Sequence, residues 1–446
     1  MSAKNTLVFA LVLIILLAMG AAAGSIVYSA IFLASLVNRV FVQQWIPYAS
    51  FVLLLVIVIV TAYFTVRFVR QCRSSEMPAL KDSEILPLTI IIPALNEERT
   101  MASCVDSIMA ADYPQDKIEL IIAHEVPPRC RDSTPQIVKQ LAAQYPNVKV
   151  VPNDSVHGGS KAGAINNCLH EAKGTVIGIY DADHIIAKDA LLRVTAEFSA
   201  NPWLTCLGGK VIVRNVNYNW FTTIVGNECA VINNFSRYLS QLFTGRHLVY
   251  GSNLFIRKDA LESIGGFDET SMTEDCDLGM KLISQNYGMK VDYAIKSYEQ
   301  PAVSVRDWWH QRVRWTWGGI SVLKKYLKIY SADGTVTAKS IRAFIMYALS
   351  TAGLLFSVIL IGFMGFMLYA GIVPPMILIL CCIPFAILFA AESLVDYTEG
   401  RGSVVDMALS IFIRPWVIYM YTIVGVYAVV MDALNVQGKW YESVRI

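Results

Sequence analysis

The sequence predicts an α/β domain held between apolar segments that cross a membrane. Three observations predict it. Hydropathy divides the 446 residues into an apolar start, a middle of ordinary soluble composition and an apolar end. In the middle, continuous β-branched runs alternate with segments of helical spacing, as in a doubly wound, mostly parallel sheet. Acidic residues stand where those runs stop, and ligands of such sheets bind beyond the carboxyl ends of the strands.

Composition supports the first observation. The chain is 55% hydrophobic and 16% charged, with a mean hydropathy of +0.48, whereas soluble domains carry about a quarter charged residues. A formal charge of +2 argues against a nucleic-acid partner. Nine cysteines without CxxC spacing form neither a disulfide framework nor a zinc site, and they fit a reducing compartment. Apolar runs at 6–36 and 46–66 are each long enough to cross a hydrocarbon layer of roughly 30 Å. The opening run ends in small residues like a signal peptide, but its apolar character continues, which favours a retained span. Further runs lie at 341–369, 372–392 and 407–433, with 403–414 readable as an interfacial helix instead. The expected organisation is two spans in 1–75, the α/β domain in 76–302, interfacial helices in 303–340 and about three spans in 341–446. Arg67, Arg70 and Arg73 on one side and Lys324, Lys325 and Lys328 on the other flank the domain. The positive-inside rule therefore predicts a multi-pass protein of the cell membrane with this domain in the cytoplasm. Segment 331–340 reads as a polar turn.

The strands follow in order. LPLTIIIPAL (86–95) is a buried parallel strand by its unbroken apolar run, and Asn96-Glu97-Glu98 leads into helical spacing over 97–110. IELIIA (118–123), NVKVV (147–151) and GTVIGIYD (174–181) make three more strands.

The last of these delivers Asp181-Ala182-Asp183-His184. Alternation aims both aspartates the same way, where Mg²⁺ or Mn²⁺ would relieve their repulsion, although a DxD is also a common cap or turn. Thr273-Glu274-Asp275 opens another helix; it reads as an N-cap with acids in the first turn, or as a general base brought near the metal. His157–Ala164 is a glycine-rich turn into a helix, where backbone N–H groups and Lys161 suit an anion. It is not a Walker pattern. HQRVRWTWGG (310–319), just after Trp308-Trp309, joins arginine forks to indole faces. Such a stretch suits a sugar and a diphosphate or a membrane-interface belt, and for Trp308 and Trp309 the belt is the expectation.

Taken in order, IIIPALNEE, Lys161-Ala-Gly-Ala-Ile-Asn, Asp-Ala-Asp-His, Gly251-Ser252-Asn253, Thr-Glu-Asp and Gln-x-x-Arg-Trp resemble the membrane-integrated family 2 glycosyltransferases, which include cellulose, hyaluronan and chitin synthases and ceramide glucosyltransferases. The resemblance covers about 85–320. It implies a GT-A fold, Rossmann-like and inserted between transmembrane helices, and inverting transfer of a hexose from a UDP-sugar such as UDP-glucose or UDP-N-acetylglucosamine. By the same resemblance Pro93, Ala94 and Glu97 lie along the nucleoside, Asp181 and Lys161 contact the donor, and Asp183 holds Mg²⁺ or Mn²⁺. Asp275, with Glu274 beside it, is the base, and Gln311, Arg314 and Trp315 hold diphosphate and acceptor. One departure stands out. Ala123-His124-Glu125-Val126 replaces the aspartates usual after the second strand, so Glu125 is expected in their role. The acceptor is expected to be a growing polysaccharide threaded through the spans, with a membrane lipid as the alternative. A nucleotide-sugar sensor or transporter is the reading from another class.

Overall fold

A computed structural model describes residues 80–153, 159–216, 218–230 and 236–332, with shorter stretches inside 52–77 and 337–348, residue 234, and most of 420–434. Thr65–Phe363 and Phe389–Ile446 form one compact unit. Met1–Phe64 with Met364–Leu388 forms a second, which lies almost wholly outside the described residues. The apolar runs at 6–36 and 372–392, and most of the other three, fall outside them too. Among the described residues no helix is long and apolar enough to cross a membrane.

The sheet has eight strands: β1 (Leu88–Ala94), β2 (Ile118–Glu125), β3 (Val148–Asn153), β4 (Val176–Ile179), β5 (Ile185–Ile186), β6 (Leu204–Val213), β7 (Leu254–Arg257) and β8 (Gly288–Glu299). Their spatial order is β3-β2-β1-β4-β7-β6-β8-β5. The first four are parallel, as their sequences predict. β7 then runs antiparallel to both β4 and β6, β8 is parallel to β6, and β5 is antiparallel to β8. The sheet is thus mixed but still mostly parallel, since β7 and β5 run against the other six strands, and its second half comes from strands whose sequences conceal them. β6 is interrupted by a glycine pair, and a Cβ at Gly209 would lie 2.2 Å from Asn253 Nδ2. β8 alternates buried and half-buried residues instead of forming one apolar run.

The unbroken apolar character of β1 has a direct cause. Ile90 and Ile92 point into one core, with α1 (Met101–Met109), α2 (Thr134–Gln144) and α4 (Ala190–Ala200). Ile91 points into the other, with α3 (Lys161–Leu169), α8 (Glu274–Ser284) and α9 (Val305–Ala332). Both faces of the strand are therefore covered, so alternation has no polar side to show. Further helices are α5 (Trp220–Ala230), α6 (Ser236–Thr244) and α7 (Lys258–Ser263). Chain order turns back at β1, with β2 on one side and β4 on the other, and this reversal opens the crevice at the carboxyl ends of those two strands.

α9 is one continuous helix of 28 residues. It packs on α8 through Gly318, where a Cβ would come 2.4 Å from Thr273 Cγ2. Farther along, Lys325 reaches Asp268 at 2.7 Å and Asp277 at 2.5 Å, and Tyr326 donates to the Asp277 carbonyl at 3.1 Å. A membrane belt at Trp308 is overturned. That indole is only 1% exposed, packed with Phe221, Val225 and Val424, and its Nε1 donates to Glu228 at 2.6 Å. Trp309 is half-buried, with its ring 5.5 Å from that of Tyr427.

Candidate active site

The crevice at the end of β1 and β4 collects the acids. Pro93 and Ala94 are the last residues of β1, and Asn96 turns the chain in the left-handed region at φ 56°. Glu97 follows; its N–H donates to Thr134 Oγ1 and its carboxylate accepts from the Thr100 hydroxyl, both at 2.8 Å. Beyond β4, Asp181, Asp183 and His184 bring a ligand atom each within 4.8 Å of one another. Two hard carboxylate oxygens with one imidazole nitrogen suit Mn²⁺ or Mg²⁺ as a donor set. His184 is oriented from behind, with Nδ1 3.0 Å from Ser297 Oγ and Nε2 3.7 Å from Glu299.

The Gly251-Ser252-Asn253 segment sets the backbone of this rim. Ser252 Oγ accepts from the Asp181 N–H at 3.0 Å. Asn253 sits at φ 50°, a region Asn tolerates better than most residues. Its side chain accepts from Tyr180 OH and donates to the carbonyls of Lys210 and Ile295, which ties β4, β6 and β8 together at one point.

Lys161 stands at the first position of α3, where Ser160 caps the helix by accepting from the Gly163 N–H at 3.0 Å. A cation there opposes the helix dipole. It is held by acids instead: Nζ lies 2.5 Å from Asp181 Oδ1 and 3.8 Å from Glu274 Oε1, and donates to the Gly251 carbonyl at 2.7 Å. Burial works against its charge, yet Asp181 and Glu274 outweigh burial and raise its pKa above the usual lysine value. His157 and Gly158, the start of the glycine-rich turn, lie outside the described residues.

Thr273 occupies the N-cap of α8 but its side chain makes no capping bond. The acids after it are therefore not accounted for by capping alone. Glu274 is buried and its carboxyl is pushed up to about 7, by burial first and by Asp275 second, while Lys161 and Arg314 pull the other way. Burial likewise raises Asp275, against Lys161, the Cys276 N–H and Arg314. Arg314 thus acts on this pair from α9. Two carboxyls shifted toward neutrality are suited to proton transfer near neutral pH.

The remaining candidates sit a step back. Glu125 ends β2 and is 5% exposed; Oε1 accepts from Asn153 at 2.6 Å and from the Gly159 N–H at 3.1 Å, and Oε2 lies 3.3 Å from Arg129. It ties the end of β3 to the entry of α3. Gln311 accepts from Arg312 Nη1 at 2.6 Å, and the Trp315 ring lies 3.9 Å from the Arg312 guanidinium. Arg312 and its partner Glu228 do not stand out in the sequence. A partial signal exists, because Arg312 and Arg314 are two residues apart and must leave a helix on opposite sides. Glu228, 84 residues upstream, carries no signal of its own.

A mixed GT-A-like sheet with a DxD group at its switch point and a helix of acids beside it is the arrangement that the resemblance in sequence implies. Comparison with known proteins agrees. Residues 176–391 match the family "Glycosyl transferase family group 2". The chain is 32% identical over 231 residues to a beta-monoglucosyldiacylglycerol synthase from Synechocystis, covering 52% of this chain and 47% of that one. It is 24% identical over 284 residues to a poly-beta-1,6-N-acetyl-D-glucosamine synthase from Staphylococcus epidermidis, covering 63% and 65%. The chain spans about half the length of the glucosyldiacylglycerol synthases it matches. Its fold is shared with the mannosyltransferase PcManGT of Pyrobaculum calidifontis, solved in complex with GDP-Man and Mn²⁺. That match has a TM-score of 0.53 and 17% identity, covering 87% of this chain and 98% of that one. In sequence the chain is thus similar to family 2 glycosyltransferases over residues 176–391, and its fold is the one that PcManGT has.

Proposed function

We propose that the protein transfers a hexose, with inversion, from a UDP-sugar to a hydroxyl of a lipid acceptor at a membrane surface. The observation that carries the reading is the meeting of Lys161, Asp181, Glu274 and Asp275 in one partly buried crevice under the influence of Arg314. Pro93, Ala94, Glu97 and Glu125 line the nucleoside side. Asp183, with Asp181 and His184, would hold Mn²⁺ or Mg²⁺, which supplies charge for the departing diphosphate. Asp275 takes the proton of the acceptor hydroxyl, Glu274 keeps that pocket acidic, and Arg314 faces the leaving group from α9. Gln311 and Trp315 meet the acceptor. The apolar runs on both sides of the domain support a multi-pass protein of the cell membrane with the domain in the cytoplasm. Similarity to the glucosyldiacylglycerol synthases favours a lipid acceptor. A growing polysaccharide is the second reading, supported by the similarity to the poly-N-acetylglucosamine synthase.

The test is UDP release by the full chain in lipid vesicles containing diacylglycerol, with a panel of UDP-sugars, with and without Mn²⁺ or Mg²⁺. Metal-dependent release with one donor is expected, lowered about 10²–10⁴-fold by Asp275→Asn. One discrete glycolipid as product supports the lipid acceptor, and a ladder supports the polymer. Donor binding that depends on Asp183 without turnover under any condition would replace transfer by a sensing role.

A further inference from the structure

The two arginines of α9 have different partners. At about 100° per residue, positions 312 and 314 point to opposite sides of the helix. Arg314 acts on Glu274 and Asp275. Arg312 goes inward and is 0% exposed. Its Nε donates to Glu228 Oε1 at 2.5 Å, while Trp308 Nε1 donates to Glu228 Oε2 at 2.6 Å. Both carboxylate oxygens of Glu228 on α5 are thereby used. The guanidinium also turns to the two residues assigned to the acceptor. Nη1 donates to Gln311 Oε1 at 2.6 Å and the Trp315 ring centroid lies 3.9 Å from Cζ, while Nη2 is held on the far side by Cys229 Sγ at 3.6 Å.

We propose that the Glu228–Arg312 pair is the positioning device of the acceptor site. The inference rests on the transferase reading. Arg312 occupies the carbonyl end of the Gln311 amide, so the NH₂ end is left to donate toward an oxygen of the acceptor. It also fixes the Trp315 ring as a stacking plate. Glu228 and Trp308 in turn hold the guanidinium from the far side, and only a planar fork can make these contacts together. Burial opposes the charge of Arg312, but Glu228 overcomes that and keeps it permanently cationic. Arg312 is thus a positioning residue and touches no substrate.

A merely stabilising pair makes a different prediction. Replacing both members of a buried ion pair with apolar residues of similar volume is often neutral for stability. The double variant Glu228→Leu/Arg312→Met should therefore melt near the parent, bind UDP-sugar with unchanged affinity, and show acceptor kcat/KM lowered about 10–100-fold, mostly through KM. Arg312→Lys, which keeps the charge but loses the fork, should show the same loss. Parental acceptor KM in the double variant would overturn the proposal. Parent protein without turnover would sink the transferase reading instead. In that event the double variant's own structure decides the inference, since Gln311 and Trp315 placed as in the parent would overturn it.

Discussion

Two charge clusters in this molecule, one fully and one partly buried, can be compared directly. Around Glu228 and Arg312 one acid meets one base, both carboxylate oxygens are bonded, and the surroundings are Phe221, Val225, Trp308 and Val424. Around Lys161, three acids (Asp181, Glu274 and Asp275) crowd one lysine, with Arg314 at the edge. The first cluster is compensated: burial opposes the charge of Arg312, and Glu228 outweighs it. The second carries an excess of carboxylate, and the excess shows as protons held up to near neutrality. An under-compensated buried cluster costs stability, and such a cost persists where a charged ligand is to be received. The first cluster is suited to shaping a site, the second to doing its chemistry.

The largest effect is expected from unbalancing the neutral cluster. Arg312→Met alone leaves Glu228 charged and buried, and should cost about 3–5 kcal/mol, read as a fall in melting temperature of the full chain. Adding Glu228→Leu should restore most of it; failure to recover would mean that the two charges do not compensate each other.

The acidic cluster gives the next effect through pH. Glu274 titrates near 4.5 when unfolded and at about 7 when folded, so between those values the folded protein holds a proton that the unfolded chain has released. Its contribution is therefore fully present below about 4.5 and is lost as pH rises to 7. Melting temperature should fall across that window by the equivalent of about 3 kcal/mol, and Glu274→Gln should flatten the fall. A slope unchanged in Glu274→Gln would assign the titration to another group.

The smallest effect tests how the two clusters are held in register by α9. Gly318→Ala should push α9 away from Thr273 and cost about 1–3 kcal/mol, with transfer reduced as Arg314 leaves the acids. Unchanged stability would show that the contact yields without strain.

Much of the parallel half was legible because its strands are covered on both faces, and a short unbroken β-branched run bounded by turn residues fits a buried strand better than any helix. DAD and TED stood out for a related reason, as acids at a strand end and a helix start against an apolar background, whereas the role of QxxRW came from the resemblance. β6 and β8 were not. Gly208-Gly209 suits the backbone of β6 to a close neighbour, Asn253, that is distant in sequence, and β8 alternates buried with half-buried residues along its length. The indoles misled for the opposite reason. Trp308 beside a charged stretch has the composition of a membrane belt, and only its partner on α5 shows that it belongs to a core.

By itself, the sequence determined the class of sheet, the acids at its rim and the helix that carries Gln311, Arg314 and Trp315, because each depends on neighbours along the chain. Tertiary structure alone decided which arginine meets the acids and which meets Glu228, that Lys161 bridges Asp181 and Glu274, and that Glu274 titrates near neutrality. Those properties depend on distances between segments up to 113 residues apart, and on burial. No local pattern encodes either one.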